Sequence, residues 1–252
     1  MIYGVTFDLW LTLVGELDGG SQSLDRNLLR SELTQKKLLE YNEDISLGTI
    51  KKCFKATATK INSQHNLGID MNYFDRVGQA LSLMSPGIIN RIGMDAVKDI
   101  GILIDSAFLE IPPYVYDDSI PVLKEIKNLG FKIGLISNTG LTSPETYKQW
   151  FISENILDYF SAITFSNEKC LAKPAKRIFL ETLQVMNVKT NNCMHIGDNL
   201  LTDILGANQI GMVTTWISGL DDRDPIVLPD YSISQLSEFP DIVRKWKEKS
   251  LI

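Results

Sequence analysis

The sequence has little of what builds disulfide frameworks, zinc sites or membrane spans. Its three cysteines, Cys53, Cys170 and Cys193, are odd in number and lack CxxC spacing, and there are only two histidines. Neither a disulfide framework nor a zinc site is therefore expected. No apolar run approaches the ~18 residues that cross a bilayer. Because Asp8 interrupts the first apolar run, no secretory signal is expected either, and we predict a cytoplasmic protein without a membrane partner.

A basic excess is also missing. The chain has 25 Lys and Arg against 31 Asp and Glu, a net charge of −6, so no nucleic-acid partner is predicted. The short basic run 244–249 is typical of the last turn of a helix, where cations suit the helix dipole. With 252 residues, 44% of them hydrophobic, the chain is long enough for one large α/β domain or for a core with a smaller second domain.

The first dozen residues contain the most informative stretch. An apolar run at the N-terminus predicts a strand buried on both faces, as in a parallel sheet, and Asp8 lies where that strand should end. Trp10 and Thr12 follow at the next two positions on the same side. Ligands of open α/β sheets bind beyond the carboxyl ends of the strands, so Asp8 is a candidate nucleophile or metal ligand.

The next hundred residues have a different pattern. The polar, glycine-containing stretch 15–23 is typical of a linker or hinge, and 111–113, with two prolines, indicates a second one. Between them the apolar spacing is helical throughout, for example behind Ser46 as a helix N-cap, and no segment alternates like a strand. His65 is expected in a surface loop. We predict an all-helical insert here.

Strands and helices alternate again in the rest of the chain. Buried strands are predicted at 131–136, 162–165, 193–196 and 213–216, a short last strand at 231–233, and helices between them. One of these helices is expected to carry Asp203. Repeated βα units of this kind specify a doubly wound parallel sheet. The fold class is therefore α/β, a Rossmann-like core with an inserted all-helical cap.

Polar side chains cluster at four of the predicted strand ends. They are Asp8 and Thr12, Ser137 and Asn138, Lys173, and Asp198 with Asp203. The carboxyl ends of parallel strands open on one edge, so these residues are predicted to meet in space. Several carboxylates side by side need a cation, and oxygen ligands with substrate phosphate suit Mg²⁺. An aspartate, a metal, a lysine and a hydroxyl together predict phosphoryl transfer through an aspartyl-phosphate.

Four segments, in order and spacing, resemble the motifs of the haloacid dehalogenase superfamily of hydrolases. The segments are FDLWLTL at 7–13, GLISNTG at 134–140, KP at 173–174 and HIGDNLLTDILGA at 195–207. The resemblance covers essentially the whole chain. It implies a catalytic core of residues 1–15 and 113–252 and a helical cap of residues 16–112, which opens and closes over the strand ends through the two hinges.

The resemblance also implies roles for individual residues. Asp8 would be the nucleophile, with Ser137 and Lys173 holding the transferred group. The metal site would comprise Asp8, the carbonyl of Trp10, Asp198 and, as a supporting carboxylate, Asp203. Substrate contacts are predicted for Thr12 and Asn138, and for Arg30. The arginine is included because related enzymes place such residues on the first cap helix, although an arginine there is also typical of an exposed helix face.

The chain departs from the phosphatase pattern at Trp10. Phosphatases of the superfamily usually have a second aspartate there, as the general acid, and Leu11 replaces a common glycine. In having an aromatic residue at this position, the chain resembles the haloacid dehalogenases. Those enzymes need no general acid there, because a halide leaves without a proton. The intact Asp198 and Asp203 pair resembles the metal-dependent phosphatases instead.

Three functions remain open, with the metal ligands given more weight than the substituted acid. The first is a Mg²⁺-dependent phosphatase acting on a small phosphorylated metabolite with a good leaving group. The second is a 2-haloacid dehalogenase-type hydrolase. The third is a weakly active binding or regulatory module. We expect a small-molecule substrate and a monomer or homodimer.

Overall fold

A six-stranded parallel sheet lies at the centre of the protein. The computed structural model describes residues 2–17 and 20–249. The strands in this part of the chain are β1 (Gly4–Phe7), β2 (Val14–Gly15), β3 (Tyr114–Val115), β4 (Lys132–Ser137), β5 (Ala162–Phe165), β6 (Cys193–Gly197), β7 (Val213–Ile217) and β8 (Tyr231–Ile233). The large sheet has the order β5-β4-β1-β6-β7-β8, and each pair in it is parallel. The predicted α/β fold with a parallel sheet is confirmed.

Helices connect these strands. They are α1 (Ser21–Glu40), α2 (Leu47–His65), α3 (Tyr73–Met84), α4 (Ile88–Glu110), α5 (Ser119–Asn128), α6 (Pro144–Ser153), α7 (Ser166–Lys169), α8 (Lys176–Met186), α9 (Gly206–Asn208) and α10 (Phe239–Lys249). The helix predicted around Asp203 begins as a π-helical turn, Leu200–Leu205, and continues into α9. In the described residues no helix has the length and apolar character that crossing a bilayer requires.

β1 occupies the middle of the sheet because every residue in it is apolar or small and buried. Its Phe7 lies opposite Leu135 of β4 on one side and Ile196 of β6 on the other. The next residue, Asp8, still donates its backbone N–H to the Ile196 carbonyl at 2.9 Å. The three central strands therefore end at one level, and the polar residues that follow them converge there.

The four helices α1–α4 follow one another between β2 and β3. Ser46 caps α2, as predicted, since its hydroxyl accepts from the Thr49 N–H at 3.2 Å. The helices bury an apolar cluster of their own, which Leu141 of the chain after β4 joins. The predicted all-helical stretch is thus a packed bundle that contacts the loop after β4.

The connection to these helices differs from the predicted flexible linker at its first residue. Gly15 belongs to β2 and pairs with Tyr114 of β3 in an antiparallel ladder. The Tyr116 side chain lies so close to Gly15 that a Cβ there would overlap it. This small pair of strands has too few residues for an alternating pattern to show in the sequence. Asp18 and Gly19 of the predicted linker lie outside the described residues.

Candidate active site

Three carboxylates meet beyond the central strands. Asp8 follows β1, Asp198 follows β6, and Asp203 lies in the π-helical turn after it. Each offers an oxygen within 4.8 Å of the others, and all three residues are buried. The Asp203 carboxylate packs directly against Gly197. A Cβ at residue 197 would overlap this carboxylate, so the close approach requires glycine. The predicted meeting of strand-end residues is present in the structure.

Lys173 is the cation of the cluster. Its Nζ donates to Asp8 Oδ1 at 2.5 Å and to Asp203 Oδ1 at 2.6 Å, and the side chain is 1% exposed. Burial lowers the pKa of this amine, but the charges of Asp203 and Asp8 raise it above its ordinary value. Lys173 is therefore charged at neutral pH and holds two of the three carboxylates together.

The three carboxyl groups differ in acidity because their charged and hydrogen-bonding neighbours differ. Burial raises the pKa of Asp8 to about 6, against the opposing charge of Lys173. Burial and the charge of Asp8 raise the pKa of Asp198 to about 8. Burial would also raise the pKa of Asp203, but Lys173 and a hydrogen bond from His195 lower it to about 2. One positive charge does not compensate the three buried carboxyl groups once all of them are ionised, so the ionised cluster favours a further cation.

His195 supports the cluster from within β6. Its Nε2 lies 3.2 Å from Asp203 Oδ1 and its Nδ1 lies 2.8 Å from Thr6 Oγ1. An ionised carboxylate can only accept, so Nε2 carries the proton and Nδ1 accepts from the threonine hydroxyl. Burial lowers the pKa of His195, which keeps the ring neutral. As its apolar strand predicts, His195 is an interior residue with satisfied hydrogen bonds.

The loop that carries Asp198 is held on both sides. Trp216 Nε1 donates to the Asp198 carbonyl at 2.8 Å. Asn199 Oδ1 accepts from the Arg223 guanidinium at 2.8 Å, and Asp221 accepts from the Leu200 N–H at the same distance. These contacts fix the backbone while leaving the Asp198 carboxylate turned towards the cluster. Sequence reasoning missed Arg223 and Asp221, because their loop carries no local motif.

Ser137 and Asn138 lie at the end of β4, as predicted. Ser137 is fully buried, and its hydroxyl donates to the Asn138 carbonyl at 3.3 Å. The Asn138 side chain makes two bonds to the backbone of Lys173, donating to its carbonyl at 3.0 Å and accepting from its N–H at 2.8 Å. Thr12 lies beside the nucleophile candidate, with its hydroxyl 3.5 Å from Asp8 Oδ2.

Trp10 is half-buried above this edge of the sheet. Its Nε1 donates to the Tyr147 hydroxyl at 3.1 Å. Tyr147 is buried against Phe165, with ring centroids 4.9 Å apart. Next to the tryptophan, Leu11 has φ 59°, a left-handed conformation that glycine adopts more easily. The turn after Asp8 is therefore held by an indole–phenol hydrogen bond, and the indole proton is already engaged within the protein.

Arg30 donates to none of the three carboxylates, and it is buried rather than exposed. Its guanidinium donates to Thr142 Oγ1 at 2.8 Å, to the Ile104 carbonyl at 3.3 Å and to Asn27 Oδ1 at 3.3 Å. Arg26 is buried as well, in an ion pair with Glu16. Both arginines lie on the face of α1 that packs against the rest of the protein. A substrate contact of Arg30 stays a prediction.

A second buried ionic group was missed by the sequence reasoning. His65, expected in a surface loop, is the last residue of α2, buried, and 3.0 Å from Asp70. Asp70 also pairs with Arg76 of α3. One signal was available, because Arg76 shares the helical face of the apolar residues Tyr73, Val77 and Ala80, where a surface arginine does not belong.

The sequence of the chain matches a protein family over more than half of its length. A family model described as haloacid dehalogenase-like hydrolase matches residues 35–211. The chain belongs to the haloacid dehalogenase-like hydrolases. The expected family and its hydrolase class are confirmed, and two of the three clustered carboxylates, Asp198 and Asp203, lie within the matched residues.

Curated proteins that are similar to this chain in sequence include phosphatases. The glyceraldehyde 3-phosphate phosphatase of Methanopyrus kandleri is 34% identical over 148 residues, which are 56% of this chain and 60% of that one. Pyrimidine 5′-nucleotidase YjjG of Escherichia coli is 30% identical over 116 residues, 45% of this chain and 50% of that one. The chain thus spans about half the length of these two curated relatives.

Solved haloacid dehalogenase-like structures match nearly the whole chain. A phosphatase from Thermococcus onnurineus has a TM-score of 0.66 at 22% identity, over 96% of this chain and 98% of that one. A 2-haloacid dehalogenase from Pseudomonas syringae has a TM-score of 0.69 at 20% identity, over 98% and 100%. The shared fold therefore serves both chemistries and does not distinguish between them.

Proposed function

We propose that this hydrolase is a Mg²⁺-dependent phosphatase that acts on small phosphorylated metabolites through an aspartyl-phosphate at Asp8. The observation that carries the proposal is the cluster of three buried carboxylates with one lysine. A bound metal ion would neutralise the third carboxylate, Asp198, with which Lys173 forms no ion pair. The names of the curated relatives, which include a sugar-phosphate phosphatase and a nucleotidase, support the substrate class.

The donor set fits a hard divalent cation. An ionised Asp198 is stabilised by its own backbone N–H and by the more distant charges of Lys173 and Arg223, and in the described part of the chain it makes no ion pair. Asp8 and Asp198, with the Trp10 carbonyl, would hold Mg²⁺, which takes few protein oxygens and keeps several waters. Asp203 already accepts from Lys173, His195 and the Asn199 N–H, so its role would be to support the site. Bound there, Mg²⁺ would neutralise negative charge on the phosphoryl oxygens.

The side chains of the cluster would then carry out two displacements. A carboxylate oxygen of Asp8 attacks phosphorus, the bond to the leaving oxygen breaks, and that oxygen takes a proton from water. Water then attacks the aspartyl-phosphate, releasing inorganic phosphate and the Asp8 carboxylate. Lys173 orients Asp8 and offsets charge on the transferred group, while Ser137 donates to it. Thr12 and Asn138 would complete the anion site.

The division of the chain is part of the same proposal. Residues 1–15 and 113–252 would form the catalytic core, and residues 16–112 a cap that excludes water during the reaction. The apolar cluster that α1–α4 bury among themselves supports a cap that keeps its shape as it moves. The segments that join it to the core lie beside β2 and β3. Specificity, including any role of Arg30, would belong to this cap.

One observation favours a second function. Trp10 occupies the position of the usual general acid, and its indole proton is donated to Tyr147. A halide leaves without a proton, so dehalogenation of a 2-haloacid is compatible with this site.

The deciding experiment measures phosphate release from p-nitrophenyl phosphate with and without Mg²⁺, beside halide release from 2-haloacids. We expect phosphate release that depends on Mg²⁺. Halide release without a metal would show a dehalogenase instead of a phosphatase. No activity in either assay would show a binding module.

Trp10→Asp should change which leaving groups are accepted. Without a general acid, the rate on aryl phosphates should fall steeply as the pKa of the leaving phenol rises. A carboxyl group at residue 10 would supply the proton, and we expect about 10²-fold higher kcat on the poorest leaving groups. Rates for a series of substituted phenyl phosphates test this. Trp10→Phe is the matched control, and its rate should depend on the pKa of the leaving phenol as steeply as that of wild type. If wild type, Trp10→Asp and Trp10→Phe all showed the same dependence, proton supply to the leaving group would not be what limits the rate.

Added Mg²⁺ should raise the unfolding temperature, because it binds only the folded cluster. The gain is about 2.7 kcal/mol at a concentration of 100 times Kd. It should be smaller at about pH 6 than at about pH 8.5, since protons compete for Asp8 and Asp198, whose pKa values are raised to about 6 and about 8. Thermal melts with and without MgCl₂ measure it. Asp198→Asn should lose the shift, whereas the exposed Asp95→Asn should retain it.

A further inference from the structure

Arg76 belongs to α3, yet its guanidinium is fully buried against the chain that follows β4. Nη1 donates to the Thr139 carbonyl at 2.6 Å and to the Gly140 carbonyl. Nη2 donates to the carboxylate of Asp70. A single side chain of the inserted helices therefore binds the backbone of the loop that opens with the predicted anion-binding residues of β4.

Asp70 completes the network on the side of the helices. Its side chain has no exposed surface, and it accepts from His65 Nε2 at 3.0 Å and from the Met71 N–H at 2.7 Å besides Arg76. A buried ion pair stabilises a structure only where further hydrogen bonds satisfy both charges. Here they do, because the carbonyls bind the guanidinium and the imidazole binds the carboxylate.

The chain between α2 and α3 also contacts the segment that carries Lys173. The Gly68 carbonyl accepts from the Ala172 N–H at 3.2 Å, and Ile69 forms an antiparallel bridge with Leu171. Backbone bonding of this kind sets the path of the chain one residue before Lys173. The inserted helices thus hold two neighbouring active-site segments at once.

The loop after β4 and the segment that carries Lys173 are joined by hydrogen bonds. The Asn138 side chain makes its two hydrogen bonds to the Lys173 backbone, and Lys173 Nζ in turn contacts Asp8. On the same loop, the Thr139 N–H donates to Ser166 Oγ at 2.9 Å. A displacement of the loop at Thr139 would therefore move Asn138, and with it the lysine that orients the nucleophile.

We infer that Arg76, paired with Asp70, is a positioning residue of the active site. From the inserted helices it sets the loop after β4 and the Lys173 segment so that Ser137 and Lys173 face Asp8. It touches no reacting atom and acts through Thr139 and Asn138. Its kinetic consequence rests on the proposed phosphatase activity, while its structural consequence does not.

The kinetic experiment compares Arg76→Lys with Arg91→Lys. A lysine has one ammonium and cannot reproduce the planar fork that binds three carbonyls, of Met71, Thr139 and Gly140, and a carboxylate. With p-nitrophenyl phosphate and Mg²⁺, below the unfolding temperature of each variant, we expect kcat of Arg76→Lys to fall about ten- to hundredfold with little change in KM. Arg91 makes an exposed ion pair with Glu43 on the same bundle, so Arg91→Lys should match wild type. A folded Arg76→Lys enzyme with wild-type kcat would overturn the inference.

Hydrogen–deuterium exchange supplies a readout that needs no substrate. In Arg76→Lys the amides of Thr139, Ala172 and Lys173 should exchange faster than in wild type, and in Arg91→Lys they should not. Faster exchange confined to the inserted helices would mean that Arg76 serves stability alone, and would overturn the inference. If Arg76→Lys does not fold, Asp70→Asn, which keeps the side-chain shape, takes its place in both measurements. A wild type inactive on phosphate esters would refute the phosphatase and leave the exchange result to decide this point.

Discussion

Asp8→Asn should reduce phosphate turnover by about 10⁴-fold or more, because a carboxamide is not a nucleophile and no second carboxylate can replace it. Asp203 already accepts from Lys173 and His195, and Asp198 belongs to the loop that follows the neighbouring strand β6. The fold should survive, since Lys173 retains Asp203 as a partner and one buried negative charge is removed. Single-turnover and steady-state rates of the variant, with circular dichroism of the same samples, measure both expectations.

The matched control is Asp95→Asn, which makes the same chemical change on an acid whose side chain is 99% exposed. Its turnover should equal that of wild type. Mass spectrometry of acid-quenched enzyme provides a direct test, because an added phosphoryl group should be detected on wild type during turnover and not on Asp8→Asn. Substantial steady-state activity in Asp8→Asn would contradict the aspartyl-phosphate mechanism.

Lys173→Met should have the second large effect, and it should act on stability as well as on rate. The substitution leaves Asp8 and Asp203 buried without their cation, and breaking a buried pair in this way costs roughly 3–5 kcal/mol of unfolding free energy. Turnover should fall about 10³-fold or more, since neither the nucleophile nor the transferred group is then neutralised. Urea denaturation and kcat on p-nitrophenyl phosphate measure the two effects.

Lys148→Met shows whether the loss of stability and turnover in Lys173→Met depends on the burial of the lysine. Lys148 forms an ion pair with Glu168 at the surface, where a single pair contributes little. Both its stability and its rate should stay close to wild type. The loss of stability in Lys173→Met should shrink in acid, because protonated Asp8 no longer needs a partner. The pKa of Asp8 is about 6 although Lys173 lowers it, and without the lysine it is higher, so the Asp8 part of the difference should narrow as the pH falls towards 6. A loss independent of pH would contradict the electrostatic origin.

The sequence by itself determined the fold and most of the candidate site. Buried strands read as apolar runs, and the alternation with helices allows few topologies besides a doubly wound parallel sheet. Once the sheet is parallel, residues that follow its strands must share an edge, and for this reason the sequence alone predicts that Asp8, Lys173, Asp198 and Asp203 lie together. The helical insert is predicted on similar grounds, since Ser46 and the apolar spacing behind it follow local rules.

Tertiary packing decided what local pattern does not encode. Gly15 pairs in a two-residue ladder with Tyr114, a strand too short to leave a periodic signal. His65 and Arg30 are polar residues in helices, and whether such residues face water depends on what packs over them; here the polypeptide after β4 covers Arg30, and Asp70 pairs with His65. Arg76 contacts Thr139 across 63 residues of sequence. Contacts of that separation exist only after the chain has folded, because neither partner selects the other by spacing.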